Sequence, residues 1–421
     1  MKKTNILTIL SSLVIALALI GVLGYQIPAV KSRVVWRAEV ARAYLRGLIY
    51  PARAVPTPLS RSDQSTPLPS PTPTQTMTPT ANSPESTQPP TATPTITPTP
   101  TPIPAAASLS STYWEKQTAN NCGPASLAIY LRYFGWEGDQ EDISALIKPL
   151  IADRNVNVEE LVYFVRSHAG WLNAEFRVGG TVERLKELVA AGFPVLIEES
   201  FKFEEPYWPN DDLWAAHYLL VTGYDDNAQV FIGQDSYHGP NQKLAYQTLD
   251  ADWKIFNRVY IIVYRPEQEG ALKAILRDDW DVDVNRQSAL ETAQADTLAN
   301  PEDAFAWFNL GTNLVYFERY GEAATAYDNA RDLGLPQRML RYQFGPFFAY
   351  FHSGLNEELL ALTEFALQRT DNSEEALLWH GWGLYRDGDL QGAIEDWRAA
   401  LEANPFYQDA RYALDFVGSS P

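Results

Sequence analysis

Residues 54–107 divide this 421-residue chain, because they cannot fold. They are built from Thr-Pro and Ser-Pro units, such as Thr-Pro-Thr-Pro-Thr-Pro-Ile-Pro at 97–104. Proline supplies no N–H to a helix or a strand ladder, and the stretch holds too little apolar surface to offset the cost of ordering it. Extended polyproline II is the expected state, a disordered stalk that at roughly 3.1 Å per residue reaches on the order of 150 Å. Structure must therefore be sought separately on either side of it.

On the N-terminal side, Lys2 and Lys3 precede an almost wholly apolar run from Ile6 to Leu23. Its length suits a bilayer, and no small-residue cleavage site precedes Tyr25-Gln26-Ile27-Pro28. Residues 1–24 are thus expected to be a single-pass transmembrane anchor. Residues 25–53 carry Lys31, Arg33, Arg37, Arg42, Arg46 and Arg53, with Val34, Ala38, Ala41, Leu45 and Leu48 at helical spacing. That pattern suits a basic juxtamembrane helix on an anionic membrane surface. Its charges favour a cytoplasmic flank, whereas a long stalk suits a domain held away from a membrane. The expectation is a cell-membrane protein with its domains outside the cytoplasm. The formal net charge of −19 argues against a nucleic-acid partner.

Residues 108–266 read as an α+β domain. Helical patterns cover 125–133, 141–148, 158–165 and 182–190, and strand-like runs cover 194–197, 218–222, 230–232 and 259–263. Asp225-Asp226-Asn227 joins the second and third runs as an antiparallel hairpin. Helices precede strands, which excludes an alternating parallel sheet. Residues 267–285 read as an acidic connector. Asp279, Asp281, Asp283 and Asn285 lack the glycine and glutamate of a calcium loop. The chain shows no phosphate-cradling glycine loop, no His-Glu-x-x-His and no paired cysteines, so neither cofactor nor metal is expected.

The chain has one cysteine, in Gln117-Thr-Ala-Asn-Asn-Cys122-Gly-Pro-Ala-Ser-Leu-Ala. A lone thiol can neither form an internal disulfide nor build a multi-cysteine metal site. Cys122 falls at the start of an amphipathic helix, where unpaired N–H groups and the helix dipole favour thiolate. The plain alternative is a small buried apolar residue. A nucleophile needs a base and a group to orient it. Of the five histidines, His168 falls near a helix end, and His352 and His380 lie toward the C-terminus. His217 opens Ala-His217-Tyr-Leu-Leu-Val-Thr-Gly-Tyr, at the mouth of a strand buried on both faces; a satisfied core histidine is the alternative there. Asp235 ends the next strand, so the hairpin brings the two together and the carboxylate can fix the imidazole tautomer. Gln117 can offer its amide to an oxyanion beside the Cys122 N–H. The loop from Phe203 to Trp214, rich in aromatic and acidic residues, is placed to rim a cleft.

Taken together, the Gln117–Cys122 segment, the His217 strand and Gln234-Asp235-Ser-Tyr resemble the C39-like peptidases, which are papain-fold cysteine peptidases. The resemblance extends to Trp253-Lys-Ile-Phe-Asn257-Arg258-Val-Tyr, similar to that family's closing helix and last strand. It implies a papain-like domain with an antiparallel sheet and hydrolysis of peptide bonds. It also implies Cys122 as nucleophile, His217 as base and acid, Asp235 as orienting carboxylate and Gln117 as oxyanion donor. A catalytically silent binder of peptides or wall components on the same fold, or an acyltransferase resolving the thioester with an amine, are the competing readings. Residues 286–421 resemble tetratricopeptide repeats through Trp307, Leu310, Gly311, Leu314, Ala323, Tyr327, Ala330 and Pro336. Gly381, Leu384, Gly388, Ala393, Trp397, Ala400 and Pro405 repeat the scheme, and Gly345, Phe348 and Ala366 mark a degenerate middle copy. Gly311 and Gly381 are 70 residues apart, about two repeats of ~34. An all-α repeat domain that binds a protein partner is implied.

Overall fold

The strand-forming runs of the middle segment pair into a single antiparallel sheet in the computed structural model, which describes residues 12, 13, 16, 19–51, 53–60, 103–110, 113–149 and 156–420. The strands are β1 (Ala106–Ser108), β2 (Asn173–Arg177), β3 (Val195–Lys202), β4 (Trp214–Asp225), β5 (Val230–Asp235), β6 (Gly239–Ala245) and β7 (Tyr260–Tyr264). Their order is β2-β7-β3-β4-β5-β6, with β1 pairing the far end of β4. The hairpin expected at 225–227 joins β4 to β5, with Asp225 opposite Val230. The short strands β1, β2 and β6 are additions to the strand-like runs. β2 and β6 carry few fully buried side chains, so their sequences lack the continuous apolar signal of β4 and β7.

Alternation along the strands divides the core in two. One face presents Leu196, Tyr218, Leu220, Ile261 and Val263 to α2 (Cys122–Tyr133), α3 (Gln140–Ile147) and α4 (Val158–His168). The other presents Val195, Ile197, Leu219, Val221 and Ile262 to α5 (Val182–Ala190), α6 (Tyr246–Lys254) and α7 (Glu269–Leu276). The last of these helices corrects the expectation of a connector at 267–285. Leu272 and Leu276, one helical turn apart, are fully buried against the sheet's second face. Asp279 accepts Arg184 Nη2 at 3.0 Å, and Asp281 caps the next helix by accepting the N–H groups of Asp283 and Val284.

The C-terminal region is all-helical: α8 (Val282–Ala299), α9 (Ala304–Tyr316), α10 (Tyr320–Leu333), α11 (Gly345–His352), α12 (Asn356–Arg369), α13 (Glu374–Arg386), α14 (Leu390–Ala403) and α15 (Gln408–Phe416). Two of the glycines picked out by spacing, Gly311 and Gly381, are where helices touch. A Cβ on Gly311 would come within 2.6 Å of the Tyr327 ring, and one on Gly381 within 2.5 Å of Trp397. Asp303, Ser373 and Asp389 cap the helices that follow them.

Most of the expected anchor, residues 1–24, lies outside the described residues; among those described, no helix is long and apolar enough to cross a membrane. The basic segment does form a helix, α1 (Pro28–Ile49). Two of its charges contact protein: Arg42 Nη2 and Arg46 Nη1 lie 2.8 and 2.5 Å from the Asp371 carboxylate. Stalk residues 61–102 lie outside the described residues. At the flanks of the expected 54–107 stalk, Val55 is buried against the C-terminal helices and 106–108 form β1.

Candidate active site

Cys122 is the first residue of α2, preceded by Asn120 at φ 56° and Asn121 at the N-cap. Gly123 and Pro124 follow for steric reasons: a Cβ at 123 would sit 3.1 Å from Val156, and proline at 124 gives up an N–H that a first helical turn leaves unpaired. The loop leading to the thiol is pinned from α3. The Gln140 amide oxygen accepts Thr118 N–H at 2.7 Å and Asn121 Nδ2 at 3.0 Å, while its Nε2 donates to Lys116 O at 2.9 Å. Lys148 Nζ donates to Asn120 O at 2.5 Å, which fixes a cation beside the thiol.

The structure brings all four sequence-derived residues to one place. His217 lies on β4 opposite Glu199 of β3, and Asp235 ends β5 opposite Leu219. His217 Nε2 faces Asp235 Oδ1 at 3.0 Å, and the imidazole also bonds the Cys122 thiol. Both His217 and Asp235 are buried. Ser236 Oγ donates to Gln117 Oε1 at 2.9 Å, and Gln117 N–H donates back to Ser236 O. With its carbonyl held in this way, the Gln117 amide has its NH₂ group left to donate.

Electrostatics follow from these contacts. Burial pushes the Cys122 thiol up, but the His217 hydrogen bond, the His217 charge and the Lys148 charge together bring it below the ordinary thiol range. Burial disfavours the His217 cation; its bonds to Asp235 and Cys122 overcome that and raise it to about 10. Burial alone would raise Asp235, yet the His217 and His238 contacts hold it far below the usual carboxylate range. These contacts all favour a thiolate–imidazolium pair oriented by a carboxylate.

Sequence reasoning missed several participants. His238 Nδ1 lies 2.8 Å from Asp235 Oδ2, and the N–H groups of Tyr237 and His238 also donate to Asp235. The signal was present in Asp235-Ser-Tyr-His238, a histidine three residues past the carboxylate. Phe201 packs beside His217, with ring centroids 5.0 Å apart. Glu199, buried beside His217, is raised by that burial to about 8, and burial also holds Glu198 well above the carboxylate range.

The thiol opens into a cleft of about 610 Å³. As expected, the 203–214 loop rims it, through Phe203, Tyr207 and Trp208. One wall comes from the C-terminal region: Arg338, Arg341 and Tyr342, between α10 and α11. Arg338 is clamped by Asp211, with both oxygens at 2.6 Å, and its guanidinium lies 4.1 Å from the Trp208 ring centroid. Trp208 Nε1 donates to Gln337 Oε1 at 3.0 Å. Nothing in the sequence spacing announces this contact, because it joins segments about 130 residues apart.

Residues 109–262 match the model of the Peptidase_C39 like family. No curated protein matches the chain. Among solved structures, a C39-like peptidase from Bacillus anthracis is 17% identical (TM-score 0.30), over 38% of this chain and 98% of that one. A double-glycine-motif protease from an AMS/PCAT transporter, solved with its leader peptide, is 16% identical (TM-score 0.28) over 38% and 94%. YrrB, a TPR protein with an unusual peptide-binding site, is 16% identical (TM-score 0.19) over 31% and 84%.

Proposed function

We propose that the chain is a cysteine peptidase that hydrolyses peptide bonds through Cys122, His217 and Asp235. The observation that carries this reading is the buried line from the Cys122 thiol through His217 to Asp235 Oδ1, opening into the cleft. The Cys122 thiolate attacks a substrate carbonyl, and the oxyanion forms toward the Cys122 N–H and the Gln117 amide. The His217 imidazolium protonates the leaving amine, which departs and leaves a thioester. His217, now neutral, takes a proton from water as that water attacks, and collapse releases the acid product and expels the sulfur as thiolate, which restores the thiolate–imidazolium pair. Asp235 keeps Nε2 protonated throughout, so that Nδ1 is the nitrogen that gives its proton to the amine and takes one from water.

The helical region, read as tetratricopeptide-like repeats, supplies both a cleft wall and a protein-binding surface. Display outside the cytoplasm on an N-terminal membrane anchor completes the proposal, supported by the apolar run 6–23 and the Thr/Pro stalk. Incubating the full chain with a peptide library tests the activity. Cleavage that Cys122→Ala abolishes without a change in thermal unfolding is expected; cleavage that survives Cys122→Ala refutes the reading.

A further inference from the structure

Residues 50, 51 and 53–57 lie along the helical region and are held there by their carbonyl groups. Arg369 Nη2 donates to Tyr50 O and Pro51 O, both at 2.6 Å. Arg331 donates from Nε to Pro56 O at 2.8 Å and from Nη2 to Thr57 O at 3.1 Å. Between these clamps Val55 donates its N–H to Leu335 O, and its side chain is only 3% exposed, within the core of the helical region. Arg53 and Ala54 beside it are exposed, so Val55 is the side chain that is read there.

Arg331 is built to receive such a segment. It is 1% exposed, and its Nη1 is tied to Glu358 at 2.8 Å and to Tyr350 OH at 2.7 Å. That fixes the plane of the guanidinium and aims Nε and Nη2 at the crossing chain. Buried N–H donors on a charged group need acceptors, and here those two donors meet the carbonyls of Pro56 and Thr57. A proline-containing chain offers carbonyls but few N–H groups, so it cannot be captured by strand pairing; recognition through carbonyls suits it.

This segment continues directly from α1, which reaches the cleft. Arg33 and Ala43 of α1 line the cleft that holds Cys122. Gly47 seats against Trp208, where a Cβ would come within 2.7 Å of that residue. Arg46 also donates to Leu367 O and Gln368 O at the end of α12, where carbonyls lack helical partners.

We propose that the Arg331–Arg369 groove is a binding site for extended, proline-containing peptides, filled here by the chain's own residues 50, 51 and 53–57. A peptide of the same chemistry supplied in trans displaces that segment and draws α1 from the cleft. The displacement of α1 bears on the peptidase reading; the binding site does not depend on it.

The test uses the full chain, a labelled synthetic peptide with the sequence of residues 50–58, and the variant Val55→Asp, whose charge is expelled from the apolar pocket. The resident segment competes at a high effective concentration in wild type, so Val55→Asp should bind the peptide at least tenfold more tightly. A peptide carrying aspartate at the position of Val55 should not bind. Equal affinity of wild type and a folded Val55→Asp variant, or binding of the aspartate peptide, overturns the site. Wild type titrated to millimolar peptide provides a second reading that needs no variant: saturable binding supports the site, and none overturns it. Alkylation of Cys122 by a bulky maleimide should accelerate severalfold in Val55→Asp. An unchanged rate alongside tight peptide binding overturns the link to the cleft. Because neither readout uses substrate, a chain without peptidase activity can still pass or fail both.

Discussion

Asp235 does more than orient one histidine. It accepts from His217, from His238 and from two backbone N–H groups, which is why its carboxylate resists protonation. Asp235→Asn leaves the shape but turns one acceptor into a donor, so kcat/KM for peptide cleavage should fall on the order of 10²–10⁴-fold. His238→Ala should cost less than about tenfold, because three of the four contacts on Asp235 persist. An equal loss in the two variants would show that His238 acts on substrate. Glu199 gives an independent check on the electrostatics of this place. Its folded value is raised to about 8 from an ordinary 4.5, so the folded state holds the proton more tightly than the unfolded state. Below pH 4.5 both states are protonated; as pH rises from there through 8, the unfolded chain ionises first and stability drains away. Glu199→Gln should therefore melt close to wild type at pH 4.5 and higher than wild type at pH 9. Identical melting differences at both pH values would contradict a buried, protonated Glu199.

Elements that bury one continuous apolar face were legible in the sequence, and those held by distant partners were not. Strand β4 announced itself through Tyr218-Leu-Leu-Val, and α5 was read at its true limits, 182–190, because Leu185, Leu188 and Val189 repeat at helical spacing. The Gln117, Cys122, His217 and Asp235 positions were legible because a hairpin turn and a helix start fix them locally. The segment around Arg338 was not, since its partners Asp211, Asp212 and Trp208 belong to a loop about 130 residues upstream. That segment is a buried ion-pair anchor between the sheet-bearing and all-helical regions. Removing one partner of such a pair strands the other, at about 3–5 kcal/mol. Arg338→Ala should lower stability by that order in chemical denaturation, and Arg338→Met, which keeps the aliphatic bulk, should rescue little because Asp211 stays unpaired. Full rescue by methionine would mean that packing, not charge, holds the loop.

At the scale of the whole molecule, the boundary near 267–285 separates folds in sequence but not the cleft in space. Trp214, two residues upstream of Ala216 in the cleft wall, stacks on Phe256 of the sheet-bearing region and on Phe305 of α9, at 5.8 and 6.2 Å. Tyr342 adds an edge contact to the same indole. A chain ending at residue 281 would expose that indole and lose the Arg338 wall. It should cleave small peptides with a KM raised several-fold and should unfold at lower temperature; unchanged KM and unfolding would mean that the helical region contributes neither to the cleft nor to its stability. The central claim, a preformed thiolate–imidazolium pair, is open to one direct measurement because the chain has a single cysteine, so any thiol reaction reports Cys122 alone. The measurement is the iodoacetamide alkylation rate of the full chain across pH 4 to 10. The thiol is lowered by the His217 hydrogen bond and charge, so the rate should rise at lower pH than that of an ordinary thiol, and His217→Ala should shift the rise back up to the ordinary range. A wild-type profile that climbs only in the free-thiol range, and that His217→Ala leaves unchanged, would contradict the account.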